Sequence, residues 1–401
     1  MDIILWELKK IWKSRAVIVM VIFFVLYFVP FMLVDKIVWY PLHETNAMLI
    51  EMRTEITRRY GETVSLDEFQ EYIIGKRDEL AVLEQTESVV FALGHLDWWH
   101  EILVGYHLAA EFINEHGDVF EPSQVTEFAQ AKRRELASPE LYEAINAYSF
   151  DFFFSADRII WMYNHKLEWF EEDPNGFLEA FEVGEFTFLP LETLDNFIAY
   201  MRNLAQLTAF TTLILFLPLI TSDKLRQMRL LQYSGAIGRR LLGKQFTAML
   251  LSSIILTSLL VLICGGMFAI NNTHVFWRSS VESFLNSFVP YFPITYGQYV
   301  LAMVGMVYLL GLGVTTIAFL LSRFCSNYIA LAAGGIGVGV VVSRLCTRVV
   351  FDNPLMLWAA REWYDGRNYS PYEPLMCIGL LVVGLIVGTI VIRQERKLDT
   401  F

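Results

Sequence analysis

Six long apolar segments constrain this chain more than any other feature of its sequence. They cover residues 16–34, 198–221, 246–270, 298–321, 328–345 and 375–392. A helix needs ~20 apolar residues to cross a hydrocarbon core of ~30 Å. The segments therefore predict an all-α polytopic membrane protein with six transmembrane helices. The first segment shows no small-residue cleavage site, which favours a retained anchor over a cleaved signal peptide.

A long acidic insert separates the first span from the second. Residues 35–200 hold 33 of the 43 acidic residues but only 11 of the 31 basic ones, so the rest of the chain is basic. Ser65 and Glu68 predict a capping box at a helix start. A helical stripe then follows at Leu66, Phe69, Ile73, Leu80 and Leu83. Ser138-Pro139 predicts another helix start and 173–176 a turn. Residues 35–197 are thus predicted to form a mostly helical domain.

Basic residues in the short loops predict the orientation of the spans. With the N-terminus in the cytoplasm, segments 1–15, 222–245, 322–327 and 393–401 lie inside and carry 14 Lys or Arg residues. The short outer loops, 271–297 and 344–374, carry 5. Cytoplasmic loops are enriched in Lys and Arg, so this orientation is favoured. It predicts a plasma-membrane protein with both termini cytoplasmic and residues 35–197 extracellular.

Residues 1–15 predict an amphipathic helix. Apolar residues recur at helical spacing at Ile4, Leu5, Leu8, Ile11 and Trp12, and the polar residues between them are Glu7, Lys9, Lys10 and Lys13. This pattern is typical of a helix lying in the cytoplasmic interface of a membrane. A plain basic flank of the first span is the alternative.

Residues 238–245 match all but the last position of a nucleotide-binding P-loop. Gly238, Gly243 and Lys244 fit G-x-x-x-x-G-K-[ST], but Gln245 stands where Ser or Thr would hold Mg²⁺. A P-loop follows a strand and opens a helix, whereas here a basic amphipathic stretch precedes the motif and a span follows it. The sequence thus predicts neither an ATPase site nor a catalytic residue in this chain.

The loop 222–245 has six basic residues and one acid, Asp223. Composition alone leaves two interpretations open: a short helix that inserts into a groove of a partner, or a topological signal that contacts lipid headgroups. The stretch LLQYSGAIGRRLLGK (230–244) resembles the cytoplasmic loop of ABC-2 type ABC transporter permeases, and LWELKKIW (5–12) is similar to the elbow helix of that family. Six spans, the QERK tail (394–397) and a large first insert also resemble Gram-positive members. The resemblance covers residues 1–35 and 198–401, but many members carry a Glu before the loop helix where this chain has only Asp223.

The resemblance implies a non-enzymatic permease subunit of an exporter, with membrane body 198–401. Cytoplasmic ABC ATPase subunits would bind ATP and Mg and dock on the loop, and a second permease subunit, identical or homologous, would complete the pathway. The substrate would be an amphipathic peptide, lipid or drug-like molecule. The residues implied at the ATPase-coupling interface are Arg226, Arg229, Leu231, Tyr233, Arg239, Arg240 and Lys244. An outer gate is expected around Trp358, Trp363 and Tyr364.

A membrane-anchored sensor or immunity protein is the alternative function, with the extracellular domain capturing a ligand without transport. The acidic insert and its aromatic clusters (98–99, 150–154, 161 and 169–170) suit a cationic amphipathic ligand such as an antimicrobial peptide, although core packing is the commoner role of such clusters. Spans nearly free of ionisable residues argue against an ion-coupled transporter. Besides the lipid bilayer and the protein partners, no nucleic acid is expected.

Two further groups of residues contain metal-ligating or thiol side chains. Zinc ligands are conceivable among His95, His100, His107, Glu111 and His116, but the spacing is not H-E-x-x-H and exposed histidines are the commoner case, so no metal is predicted. Cys346 and Cys377 lie near the predicted outer surface. A bond between them is possible, but packing is the commoner role of lone thiols in apolar surroundings.

Overall fold

A computed structural model describes most of the membrane body and the beginning of the insert. The described residues are 2–38, 44–61, 63–83, 89–90, 92–94, 96, 112, 115, 124, 185–187, 189, 191–225, 241–281, 292–325, 327–352, 354–355 and 372–397. The histidine group, the aromatic clusters and the two predicted features at 138–140 and 173–176 lie outside them.

Six helices in the described part of the chain are long and apolar enough to cross a membrane. They span Arg15–Ile37, Thr193–Asp223, Leu241–Asn271, Tyr296–Phe324, Tyr328–Val350 and Tyr372–Glu395. The chain is therefore an all-α polytopic membrane protein, as the six apolar segments predict. The second helix is the most enclosed, with 78% of its most apolar window buried, against 17% for the first and the sixth. The second span thus lies at the centre of the membrane body.

The described residues form nine α-helices and two short strands, numbered here in chain order. The helices are α1 (Asp2–Trp12), α2 (Arg15–Phe28, continued by a π-helix over Val29–Val38), α3 (Glu44–Tyr60), α4 (Leu66–Ala81), α5 (Leu191–Leu225), α6 (Leu241–Phe268), α7 (Tyr296–Phe324), α8 (Tyr328–Leu345, continued by a π-helix over Cys346–Val350) and α9 (Tyr372–Lys397). The strands are β1 (Thr63–Ser65) and β2 (Glu185–Thr187).

The chain forms two compact units. The membrane unit comprises Met1–Tyr40, Leu194–Asn271 and Gln298–Phe401, and the second unit comprises Pro41–Thr193 and Asn272–Gly297. The loop between the third and fourth spans thus belongs to the same unit as the insert.

The described part of the second unit begins with two helices and a short ribbon. β1 pairs with β2 in antiparallel register, with Val64 opposite Phe186, so the start and the end of the insert meet. The predicted capping box is confirmed, since Ser65 accepts from the Glu68 amide and the Glu68 carboxylate accepts from the Ser65 amide. The stripe is buried at Phe69, Ile73 and Leu80, but Leu83 is 49% exposed because α4 ends at Ala81.

Glycines allow close contact between α8 and its neighbours in the membrane unit. A Cβ at Gly335 would lie 2.5 Å from Leu217 Cδ1, and one at Gly339 would lie 2.9 Å from Phe210 Cε1. Both partners belong to α5, so these two glycines of segment 334–339 let α8 pack closely against the second span. The buried side of α8 is a single stripe, at Leu331, Gly335, Gly339 and Val342.

Side-chain amides satisfy the irregular end of the first span. The π-helix begins with Val29-Pro30, and Pro lacks the N–H that an α-helix needs at this point. Asn203 donates to the Phe31 carbonyl at 2.9 Å, and Asn196 and Asn271 both donate to the Lys36 carbonyl. These contacts extend the first helix beyond residue 34, its predicted end.

Candidate functional site

The predicted coupling loop is described only at its two roots. Six of the seven residues assigned to the ATPase-coupling interface, from Arg226 to Arg240, lie outside the described residues, and Lys244 lies in the first turn of α6. The outer-gate residues Trp358, Trp363 and Tyr364 also lie outside them. The roots are the end of α5 at Leu225 and the start of α6 at Leu241. The structure therefore shows what holds the loop rather than what the loop contacts.

Both roots of the loop bind the N-terminal helix through one cluster of polar side chains. Lys10 Nζ lies 2.5 Å from Asp223 Oδ2 and 3.7 Å from Glu7 Oε2. Gln245 Nε2 donates to Asp223 Oδ2 at 3.1 Å and to Glu7 Oε1 at 3.4 Å. Asp223 precedes the loop and Gln245 follows it, so α1 joins the two sides of the loop.

This cluster is buried, so separating its charges costs more free energy than separating exposed ones. Glu7 is 4% exposed, Asp223 is 7% exposed and Gln245 is 9% exposed. Burial raises the pKa of the Glu7 carboxyl, while the ammonium of Lys10 and the amide of Gln245 oppose that rise. Removing one partner of a buried ion pair typically costs ~3–5 kcal/mol, because the other charge is left without compensation. The cluster therefore fixes the position of α1 against α5 and α6.

A hydroxyl joins α5 to α7 one turn below a proline. Ser322 Oγ accepts from the backbone N–H groups of Ile220 at 3.1 Å and Thr221 at 3.2 Å. The Thr221 hydroxyl donates to the Ser322 carbonyl at 2.9 Å. Pro218, within α5, removes one backbone donor and weakens the helix locally. Ser322 thus binds the turn of α5 that directly follows Pro218.

The next residue along α7 makes a second buried ion pair. Arg323 Nη2 lies 2.5 Å from Glu395 Oε2, and the two side chains are only 14% and 7% exposed. Glu395 lies near the end of α9, so this pair joins the fourth span to the sixth.

These three groups of contacts lie at successive positions on five helices, and we call them the polar belt. Its members are Glu7, Lys10, Thr221, Asp223, Gln245, Ser322, Arg323 and Glu395. The belt connects α1, α5, α6, α7 and α9 at the end of the membrane unit where the loop begins and ends. Because buried pairs resist separation, the cluster holds α1 to both roots of the loop.

The sequence predicts only part of the belt. Asp223 is the single acid of the loop and Gln245 breaks the P-loop motif, but no sequence pattern assigns a role to Arg323 or Glu395. Helical spacing predicts Glu7 on the polar side of the N-terminal helix, whereas the structure buries Glu7. One sequence signal could have predicted these contacts: several spans carry charged residues within about two turns of their ends. Such residues need partners when they are buried.

The opposite end of the membrane unit also holds polar contacts. Arg202 Nη1 lies 3.5 Å from Asp352 Oδ1, and the Tyr299 hydroxyl donates to the Pro354 carbonyl at 3.3 Å. Glu373 is fully buried at the start of α9. The prediction that the sixth span covers 375–392 missed this carboxyl, because α9 begins at Tyr372.

Metal and disulfide sites are not formed by the described residues. No group of three or more His, Cys, Asp or Glu side chains is placed to hold a metal ion in the part of the chain that the structure describes. Cys264, Cys346 and Cys377 are buried, Cys325 is partly exposed, and none of these four cysteines forms a disulfide. The possible bond between Cys346 and Cys377 is therefore not formed.

Comparisons of the chain with family models, curated proteins and solved structures find no match. The loop, its roots and the belt are therefore the features that indicate a function. The likeness of residues 230–244 to the ABC-2 permease loop remains a resemblance in sequence.

Proposed function

We propose that this chain is the membrane permease subunit of an ABC exporter. It moves an amphipathic substrate across the plasma membrane, using ATP that a separate cytoplasmic subunit hydrolyses. Two permease subunits, identical or homologous, form the pathway, and residues 35–197 stand outside the cell. One observation carries this proposal: both roots of the basic loop are bound to the same buried cluster on α1.

The belt suits a membrane protein whose helices are moved by a separate cytoplasmic subunit. A partner that presses on the loop displaces Asp223 at the end of α5 and Gln245 at the start of α6. Lys10 passes that displacement to α1, and Ser322 and Arg323 pass it to α7 and α9. A loop that served only as a topological signal needs no such connection, because the positive-inside effect requires charge alone.

The loop itself supplies the chemistry for docking a partner. It combines apolar residues with four arginines between 226 and 240. Interfaces commonly use apolar anchors in the middle and charges at the rim. The P-loop motif fails at Gln245, so ATP binds to the partner subunit.

The test is co-purification of the chain with its ATPase subunit, combined with ATP-dependent transport in proteoliposomes. Charge reversal of Arg239 and Arg240 to Glu is expected to reduce the bound ATPase at least ~10-fold, since like charges across an interface cost several kcal/mol. Arg393→Glu, an exposed arginine at the end of α9, is the matched control and should retain the ATPase.

Two results would count against the proposal. Retained co-purification and transport in the Arg239→Glu, Arg240→Glu variant would remove the loop as the docking site. Full biological function with an ATPase subunit that lacks its catalytic Glu would favour the sensor or immunity protein, in which the acidic insert captures a ligand.

A further inference from the structure

One side of α1 is apolar, basic and exposed. Leu5 is 55% exposed and Trp6 is 60% exposed. Lys9 and Lys13 are exposed as well. These four residues lie on one side of the helix by their spacing, and we call them the α1 outer surface. Asp2 shares this side by the same spacing.

The helix cannot turn to bury this surface without breaking its other contacts. On the opposite side Ile11 is 2% exposed and Glu7 is 4% exposed, and Lys10 is paired with Asp223. The buried side of α1 therefore holds the acid beside Ile11, while Leu5 and Trp6 point outward. A helix that packs on a protein through apolar residues alone would bury such large apolar side chains and expose its acid.

The position of α1 in the chain identifies what covers the outer surface. α1 ends at Trp12 and the first span begins at Arg15, so the helix lies at a membrane boundary. Leu and Trp on one face of an interfacial helix insert about 5–10 Å into the region of headgroups and acyl chains. Lys9, Lys13 and the exposed Arg15 outnumber Asp2, so the local charge is positive. Basic residues at such a boundary are attracted to anionic lipids.

We propose that the α1 outer surface binds anionic phospholipid headgroups. The lipid phosphates neutralise Lys9 and Lys13, while Leu5 and Trp6 enter the acyl region. Because the opposite side of α1 holds both roots of the loop, bound anionic lipid also favours one position of those roots. This regulatory consequence rests on the proposed function, whereas lipid binding does not.

The experiment uses the full chain in nanodiscs of phosphatidylcholine, with and without about a third of phosphatidylglycerol. Brominated acyl chains quench tryptophan fluorescence, and the difference between wild type and Trp6→Phe isolates the signal of Trp6. Trp6 quenching is expected to rise at least about twofold when phosphatidylglycerol is present. Lys9→Gln with Lys13→Gln should remove this rise. The matched control is Arg344→Gln with Arg348→Gln, which removes two exposed charges near the other end of the membrane unit and should keep the rise.

Equal quenching of Trp6 in both lipid mixtures would overturn the proposal, as would a rise that survives in the Lys9→Gln, Lys13→Gln variant. Trp6 that stays unquenched in both mixtures, but becomes shielded when a protein partner is added, would assign the surface to that protein. The measurement needs no ATPase subunit. A chain that fails to bind an ATPase but keeps the lipid dependence would therefore contradict the proposed function alone.

Discussion

Lys10 and Asp223 are 213 positions apart in the sequence, and their side chains meet at 2.5 Å at the root of the loop. Asp223 is 7% exposed, and its carboxylate also accepts from Gln245. One carboxylate thus connects the N-terminal helix, the end of the second span and the start of the third. No local sequence pattern predicts this contact. Its contribution to stability can be measured by replacing Lys10.

Replacing Lys10 by Met is expected to destabilise the membrane unit strongly. The change leaves Glu7 and Asp223 as two buried carboxylates without the ammonium. Because Lys10 keeps 28% of its side chain exposed, the loss should fall near the lower end of the ~3–5 kcal/mol typical of a broken buried pair. Thermal unfolding in detergent, followed by size-exclusion chromatography, measures the effect.

The control for this change is Lys9→Met, which removes an exposed lysine one position away and should shift the unfolding temperature little. The exchanged pair, Lys10→Asp with Asp223→Lys, should recover part of the lost stability. The single variants Lys10→Asp and Asp223→Lys are measured alongside. If the exchanged pair loses as much stability as the two single variants together, the contact between Lys10 and Asp223 does not stabilise the fold.

The sequence predicted the helices better than the contacts between them. Apolar segment length depends on composition alone, so the six spans were predictable, and the Ser65–Glu68 capping box is local in sequence. The belt depends on tertiary contacts: Arg323 and Glu395 are 72 positions apart. The sequence predicts Glu7 on the polar side of α1, but the structure buries it. A buried acid is stable when polar partners from other helices reach it. A single sequence without its fold does not provide that information.

Stability of α1 packing should depend on pH through Glu7. Burial raises the pKa of this carboxyl in the folded chain. The folded state therefore binds the proton more tightly than the unfolded state, and stability falls as pH rises from the ordinary carboxyl pKa through the raised value. Glu7→Gln keeps an acceptor for Gln245 and should abolish this decline. Hydrogen exchange of α1 peptides, compared between wild type and variant at each pH, measures the difference.

Glu68 provides a control with the opposite sign. The backbone amide of Ser65 and its hydroxyl lower the pKa of the Glu68 carboxyl. Its contribution is present above the ordinary carboxyl pKa and is lost as pH falls through the lowered value. In Glu68→Gln, α4 peptides should therefore lose protection relative to wild type above that range and match it below. Changes of the same sign for Glu7→Gln and Glu68→Gln would contradict the assignment.

Arg323 and Glu395 should show strong coupling in a double-mutant cycle. Either single change to Met leaves one buried charge, which costs ~3–5 kcal/mol. The double change removes both charges and should cost much less than the sum of the two singles, because no buried charge remains. Urea unfolding in mild detergent gives the three free energies.

A second ion pair in the same chain is the matched control for this cycle. Arg59 and Glu71 lie at 3.0 Å, but their side chains are 55% and 68% exposed. Exposed pairs typically contribute ~0–1 kcal/mol, so this cycle should show little coupling. Equal coupling energies for the two pairs would show that burial does not set the strength of the Arg323–Glu395 contact.

Two glycines of α9 should respond in opposite ways to the same substitution. A Cβ at Gly384 would lie 2.6 Å from Thr316 Cβ, whereas nothing lies within 4 Å of a Cβ at Gly379. Thr316 is fully buried and branched at Cβ, so it has few alternative rotamers. Gly384→Ala should therefore cost ~1–3 kcal/mol through overpacking, while Gly379→Ala should be neutral or gain up to ~1 kcal/mol from helix propensity. Unfolding temperatures of the two variants decide the matter: if Gly384→Ala is as stable as Gly379→Ala, α9 does not approach α7 as closely as the structure shows.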